Sequence, residues 1–185
     1  MRRRKKSSES GITLIEVMVA SLFLTIALTS VAMTMGQGVA AVYINQQQLI
    51  AKQKAQEAIE SVFVARSTQE ISWAQIQNTT VLGGIFLTGF RAIRGMGIDG
   101  IPNTADDAID PLETITYPGK DGNLGTADDI TFSLSGYTRQ ITISAVLLPN
   151  TSVDPDIRRI DIDIKYYIRG VLKTVRFSSL ISRFA

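Results

Sequence analysis

From Val17 to Ala51 the chain carries no charged side chain. No other feature limits its fold as strongly. About 20 consecutive apolar residues cross a bilayer as a helix. Val17 to Met35 is an uncharged run of 19 residues, rich in Val, Ala, Leu, Ile, Met and Thr. One acid, Glu16, stands at the mouth of this run, and a basic segment, Arg2 to Lys6, precedes it. A carboxylate near the bilayer interior costs roughly 2.5–3.5 kcal/mol on insertion scales, and such residues are usually functional. The alternative is a plain N-terminal anchor with an acid left among the headgroups. The basic cluster is expected to stay cytoplasmic, with the rest of the chain facing outward. Nucleic-acid or lipid contact is the other use of such a cluster.

Gly11 to Val19 reads Gly-Ile-Thr-Leu-Ile-Glu-Val-Met-Val. This stretch resembles the leader-peptidase motif of type IV pilins and pseudopilins. In that family a short basic leader ends in Gly, an apolar residue begins the mature chain, and Glu is fifth. The resemblance implies cleavage between Gly11 and Ile12, methylation of the new Ile12 amine, and Glu16 as the fifth mature residue. Ile12 departs from the usual Phe but is still bulky and apolar. An ordinary secretory signal would instead be cut after the apolar run, and small residues at Ala40-Ala41 leave that reading open.

Lys and Arg number 19, Asp and Glu 17, for a net charge of +2. Residues 1–11 carry five basic residues and one acid, or +4, which leaves −2 for the remainder. The basic pI therefore belongs mostly to the leader, and no nucleic-acid partner is expected. The chain has no Cys and no His. Thiol nucleophiles, His general bases and Cys/His zinc sites are excluded. Many pilins close a C-terminal loop with a disulfide; this chain has no Cys to do so.

The expected architecture is α+β and pilin-like. Residues 1–11 form the leader, 12–38 a transmembrane or filament-core helix, 39–66 an amphipathic half, and 67–185 a β-rich head. Gly36 and Gly38 each cost roughly 1 kcal/mol against Ala in a helix interior, so a bend or unwound segment is expected near them. Beyond Ala40, Leu49, Ala55, Ile59, Val62 and Phe63 fit one helical stripe, with Gln and charged residues opposite. At 1.5 Å per residue the whole helix spans about 80 Å. Glu70 to Gln77, containing Trp73, is expected as a short helix, and Ile85 to Leu87 as a short strand.

Two acidic loops, 97–107 and 119–129, repeat each other at an offset of 22 residues. Both read Gly-x-Asp-Gly-x-x-(Asn or Gly)-Thr-Ala-Asp-Asp. Leu112 to Tyr117 between them is expected as a strand. Gly permits the turns that bring backbone carbonyls inward, and calcium takes six to eight oxygens. Asp99, Asn103, Asp106 and Asp107, with Thr104, are one candidate calcium set. Asp121, Asn123, Asp128 and Asp129, with Thr126, are the other. The spacing is not that of an EF-hand. A pair of Asx-type turns, with Asp and Thr as caps, is the alternative.

The C-terminal third alternates with period two. Arg139, Ile141, Ile143, Ala145 and Leu147 share one face. Ile160, Ile162, Ile164, Tyr166 and Ile168 alternate with polar neighbours, Arg169-Gly170 reads as a tight turn, and Val171, Val175 and Phe177 continue. Half-buried antiparallel strands follow, laid on the helix stripe. Asp154-Pro155 is expected in a connection. Asp161 and Asp163 are expected on the exposed outer face, neutralised by Arg158, Lys173 or Arg176.

The resemblance implies a structural subunit of a type IV pilus, most like a minor pilin of the V class. Its implied partners are other pilin subunits, the leader peptidase, inner-membrane assembly machinery and, before assembly, lipid. It also implies an inner-membrane start and a periplasmic or cell-surface filament. Glu16 is implied to pair with a neighbouring subunit's N-terminal amine, since a buried acid needs a partner. A type II secretion pseudopilin and a non-polymerising, membrane-anchored calcium-dependent module are the alternatives. An enzyme is the least supported reading.

Overall fold

The computed structural model describes residues 11–149 and 152–184. The basic cluster Arg2–Lys6 lies outside the described residues. One helix, α1 (Leu14–Ser67), opens the chain, and helical hydrogen bonding continues through Gly36 and Gly38. The chain divides into two compact units, residues 1–45 and 46–185.

In the first unit the apolar side chains are bare. Leu22, Phe23, Leu28 and Met33 are all more than half exposed. The hydroxyls in this run bond back to the helix: Ser21 donates to the Met18 carbonyl at 2.8 Å, Thr25 to Ser21 at 2.8 Å, Ser30 to Ile26 at 2.7 Å and Thr34 to Ser30 at 2.9 Å. Each of these hydroxyls is thereby satisfied locally, as an apolar solvent demands. By length and composition the helix can cross a membrane.

In the second unit a four-stranded antiparallel sheet packs on the C-terminal half of α1. The strands are β1 (Arg91–Ala92), β4 (Thr138–Leu147), β5 (Val153–Ile168) and β6 (Val171–Ser182), adjacent in that order. Strands β2 (Thr114–Tyr117) and β3 (Ile130–Ser133) form a separate two-stranded ribbon. Arg169 (φ 51°) and Gly170 (φ 79°) make the two-residue turn between β5 and β6. Two left-handed residues match the twist of a tight hairpin.

The helix presents small residues to the sheet. Ala51, Ala55, Ala58, Val62 and Ala65 are buried, at alternating spacings of four and three. The expected stripe is met in part: Ala55 and Val62 are buried, but Leu49 is 55% exposed, and Ile59 and Phe63 are only half-buried. The sheet explains the difference. Ile160, Ile162 and Ile164 of β5 and Ile141 of β4 are fully buried, and large strand residues fill the core best against a line of alanines. Tyr137 stacks on Tyr166 at 5.4 Å and donates its hydroxyl to Gln47 of the helix. Lys54 joins Glu57 (2.7 Å) on its own helix to Glu113 before β2. Burial alone pulls the Lys54 ammonium down; the hydrogen bonds it donates to Glu113 and Glu57 reverse this and hold it above its ordinary value.

Three expectations need correction. Glu70 to Gln77 forms turns, not a helix. Trp73 instead lies under the Arg158 guanidinium, 4.2 Å from its ring centre, and donates to the Pro155 carbonyl at 3.1 Å. Those tertiary bonds outweigh one turn of helix propensity. Ile85 to Leu87 forms only a bridge, Asn78 to Phe86. Asp154 and Pro155 belong to β5.

Asp161 and Asp163 do occupy the face away from the helix, but they are buried, not exposed. Arg176 covers Asp163 with two hydrogen bonds of 2.6 Å, and Arg159 and Ser178 cover Asp161. The Asp163 hydrogen bonds hold Arg176 above its ordinary pKa. Cross-strand neighbours on the central strand lie close enough to shield short carboxylates.

Candidate functional site

Two regions hold the residues singled out from the sequence. The first is the mouth of α1. Gly11, Ile12 and Glu16 are all exposed. Thr13 accepts the first helical bonds, from the Glu16 and Val17 amides at 3.0 and 3.3 Å. Glu16 thus lies in the first turn, where the helix dipole favours an acid. Among the described residues its carboxylate has no ion-pair or hydrogen-bond partner.

The second region is the pair of acidic loops, which share one hydrogen-bonding plan. In the first loop Asp106 Oδ2 accepts from the Ile98 and Asp99 amides at 2.9 and 3.3 Å, and its Oδ1 accepts from the Thr104 hydroxyl at 2.6 Å. In the second, Asp128 does the same with the Lys120 and Asp121 amides at 2.6 and 3.3 Å and the Thr126 hydroxyl at 2.8 Å. Asp107 Oδ2 accepts from the Asn103 amide at 2.6 Å, and Asp129 Oδ2 from the Gly125 amide at 2.6 Å. Asp99 and Asp121 each accept from the amide two residues on, at 2.8 and 2.9 Å. The threonine hydroxyls hold both Asp106 and Asp128 below the ordinary carboxylate range. Gly100 (φ 64°) and Gly122 (φ 73°) are left-handed at matching places, and at a second such place Asn103 (φ 65°) in one copy answers Gly125 (φ 89°) in the other, the two residue types that accept that backbone.

The carboxylates thus act as locks on their own turns, the Asx arrangement. Among the described residues no group of three acidic side chains is placed to hold a metal ion. Asn103 turns its side chain away from its loop.

The copies differ in burial. Ile101, Pro102, Asn103, Thr104 and Asp107 are buried, whereas residues 120–128 are exposed. Behind the first loop stands Arg139, 1% exposed. Its Nε donates to Asn103 Oδ1 at 3.0 Å, and Asn103 Nδ2 returns a bond to the Arg139 carbonyl at 3.2 Å. Burial lowers the Arg139 pKa, opposed by the Asp107 charge. Asp107 is buried too, its Oδ1 without a partner among the described residues, and burial pushes its pKa up to about 6 despite the Asn103 amide and the Arg139 charge. Arg139 shares strand parity with Ile141 and Ile143, a charge on the core face of an apolar alternation. That signal was legible; that Asn103 answers it was not.

Comparison with family models finds no match. Neither a curated protein nor a solved structure matches the chain.

Proposed function

We propose that the chain is a filament subunit of the type IV pilus kind, cut between Gly11 and Ile12 and assembled through α1. One observation carries this reading: a bare apolar helix has at its mouth an acid that is unpartnered among the described residues. In a bundle of such helices, the free amine of a neighbour's Ile12 supplies the charge. A helix with hydroxyls closed on its own carbonyls suits lipid first and helix neighbours later.

The test is to shear surface fibres from producing cells and determine the N-terminus by mass spectrometry. N-methylated Ile12 in the fibres supports the proposal. Processed chains confined to the envelope would favour a secretion pseudopilus, and an intact Met1–Gly11 leader would overturn both.

The two loops enter this proposal as locks that hold the head without disulfides. Calcium, if it adds to them, binds the second copy, where Asp121 and Asp128 face solvent and no guanidinium opposes a cation. Around Asp107, Arg139 does oppose one. Calorimetry on the detergent-solubilised chain tests this: calcium heat abolished by Asp121→Asn supports it, and calcium heat that Asp121→Asn leaves intact refutes the placement.

A further inference from the structure

The ribbon β2–β3 projects the second acidic loop. Its strands pair only with each other, four residues against four. Its root is tied to the β1 side of the sheet: Glu113 donates its amide to the Ile93 carbonyl at 3.1 Å, and Leu134 donates to Glu113 at 2.8 Å. Ile130 and Phe132 are each 53% exposed, and Leu124 at the tip is 66% exposed. A two-stranded ribbon is at best marginal in water by itself. Here the Asp128 and Asp129 locks stiffen the tip, so the arm is preorganised while its apolar sides stay uncovered.

At the far edge of the sheet is β6, paired on one side only, with β5. The opposite edge is closed. Arg91 and Ala92 pair with the start of β4, and beyond them the Asn78 carboxamide donates to the Ile141 carbonyl and accepts from the Ile143 amide, both at 2.8 Å. The β6 edge carries Lys173 and Arg176 and no acid. At its turn end Tyr167 and Leu172 are cross-strand partners, 64% and 46% exposed, flanked by exposed Arg169 and Lys173. Two copies of this edge would set like charges together, which protects it against self-pairing.

We infer that the β2–β3 arm of one copy docks on the β5–β6 turn end of the next. In the calcium-free arm Asp121 and Asp128 meet Arg169 and Lys173, and Leu124 meets Tyr167 and Leu172. The arm grows from the β1 side and its target lies at the β6 edge, so donor and acceptor surfaces differ. Such a contact is heterologous and propagates from copy to copy rather than closing as a dimer. It extends the filament reading by adding a contact between heads to the one between helices.

The chain has no cysteine, so an introduced pair reports cleanly. Full-length chain carrying Leu124→Cys and Leu172→Cys is oxidised in membranes of producing cells. A ladder of covalent dimers, trimers and tetramers is expected. Either single variant gives none, and a mixture of the two gives a dimer only. Monomer alone, with both thiols open to maleimide, overturns the inference. So does an equal ladder from a control pair, Leu124→Cys with Leu147→Cys. Adding Lys173→Glu to the pair weakens the ladder roughly five-fold; an undiminished ladder refutes the charge pairing. Processed, sheared fibres without a ladder would sink this contact and leave the pilus reading standing. A ladder from chains that keep their leader would do the reverse.

Discussion

Asp107 is the residue whose substitution tests the head most directly. Its carboxyl is buried, one oxygen is unpartnered, and its pKa rises from 3.8 to about 6. The sign follows from linkage. Below pH 4 both folded and unfolded chains hold the proton, and nothing is lost. Between pH 4 and 6 only the folded chain holds it, so rising pH favours unfolding. Above pH 6 the folded chain carries the full cost of a buried charge. About two units at 1.36 kcal/mol each is about 3 kcal/mol. Asp107→Asn removes the charge and keeps an acceptor for the Asn103 amide. The variant is therefore expected to match the wild type near pH 4 and to exceed it by about 3 kcal/mol at pH 7.5. For a chain of this size that is roughly 6–12 °C in melting temperature.

The assay is thermal unfolding in detergent with a chelator present, followed by fluorescence of the single tryptophan, Trp73. Asp106 and Asp128 are depressed, so they shift wild type and variant alike with the opposite sign. The difference between the two curves isolates Asp107. A gap that is the same at both pH values refutes the titration argument. A variant weaker than wild type at pH 7.5 would mean that attraction to Arg139 exceeds the burial cost. Added calcium that stabilises only the wild type would place a cation on Asp107, against the placement proposed above.

Three other outcomes are expected. Glu16→Ala should insert into the membrane at least as well as wild type and fall well behind it in sheared fibres; normal incorporation, measured by immunoblot, refutes the pairing role. Asn78→Ala strips two hydrogen bonds from the edge of β4 and should cost roughly 1–3 kcal/mol; a urea midpoint unchanged from wild type would show that water replaces the carboxamide. Asn103→Gly keeps the left-handed turn but leaves Arg139 Nε unanswered, a loss of roughly 1.5–3 kcal/mol, whereas Gly125→Asn should stay within about 0.5 kcal/mol. Equal effects of the last two by chemical denaturation would refute the contrast drawn between the loops.

The long helix, the C-terminal meander and the Arg169-Gly170 turn were legible because each is written locally, in hydropathy period or turn chemistry. The stripe on α1 was read in part: Ala55 and Val62 are buried as expected, but Leu49, Ile59 and Phe63 were chosen over Ala51, Ala58 and Ala65 because bulky residues dominate a hydropathy pattern. The small size of those alanines matters only once the buried isoleucines of β5 are known. Trp73 misled for a related reason: its segment has helical composition, but Arg158 and Pro155, more than 80 residues later, decide its conformation. Glu16 and Ile12 could be marked by position alone.

The repeat bears most on how this head is built. Eleven residues with the same acids, threonine and left-handed position make the same bonds in two settings, one buried against Arg139 and one exposed at the end of a ribbon. The lock therefore does not depend on a core: its bonds run from side chain to neighbouring amide and close within the loop. The residues that differ decide the setting. Ile101 and Pro102 draw the first copy inward, and Asn103 turns to meet a buried guanidinium; Asn123, Leu124 and Gly125 at the same places have nothing to reach and leave the second outside. A loop that closes on itself can stand at the tip of four-residue strands without a hydrophobic floor. Ordered before it meets anything, such a tip loses little conformational freedom on docking, which is why the exposed copy, and not the buried one, is the one assigned to the docking inferred above.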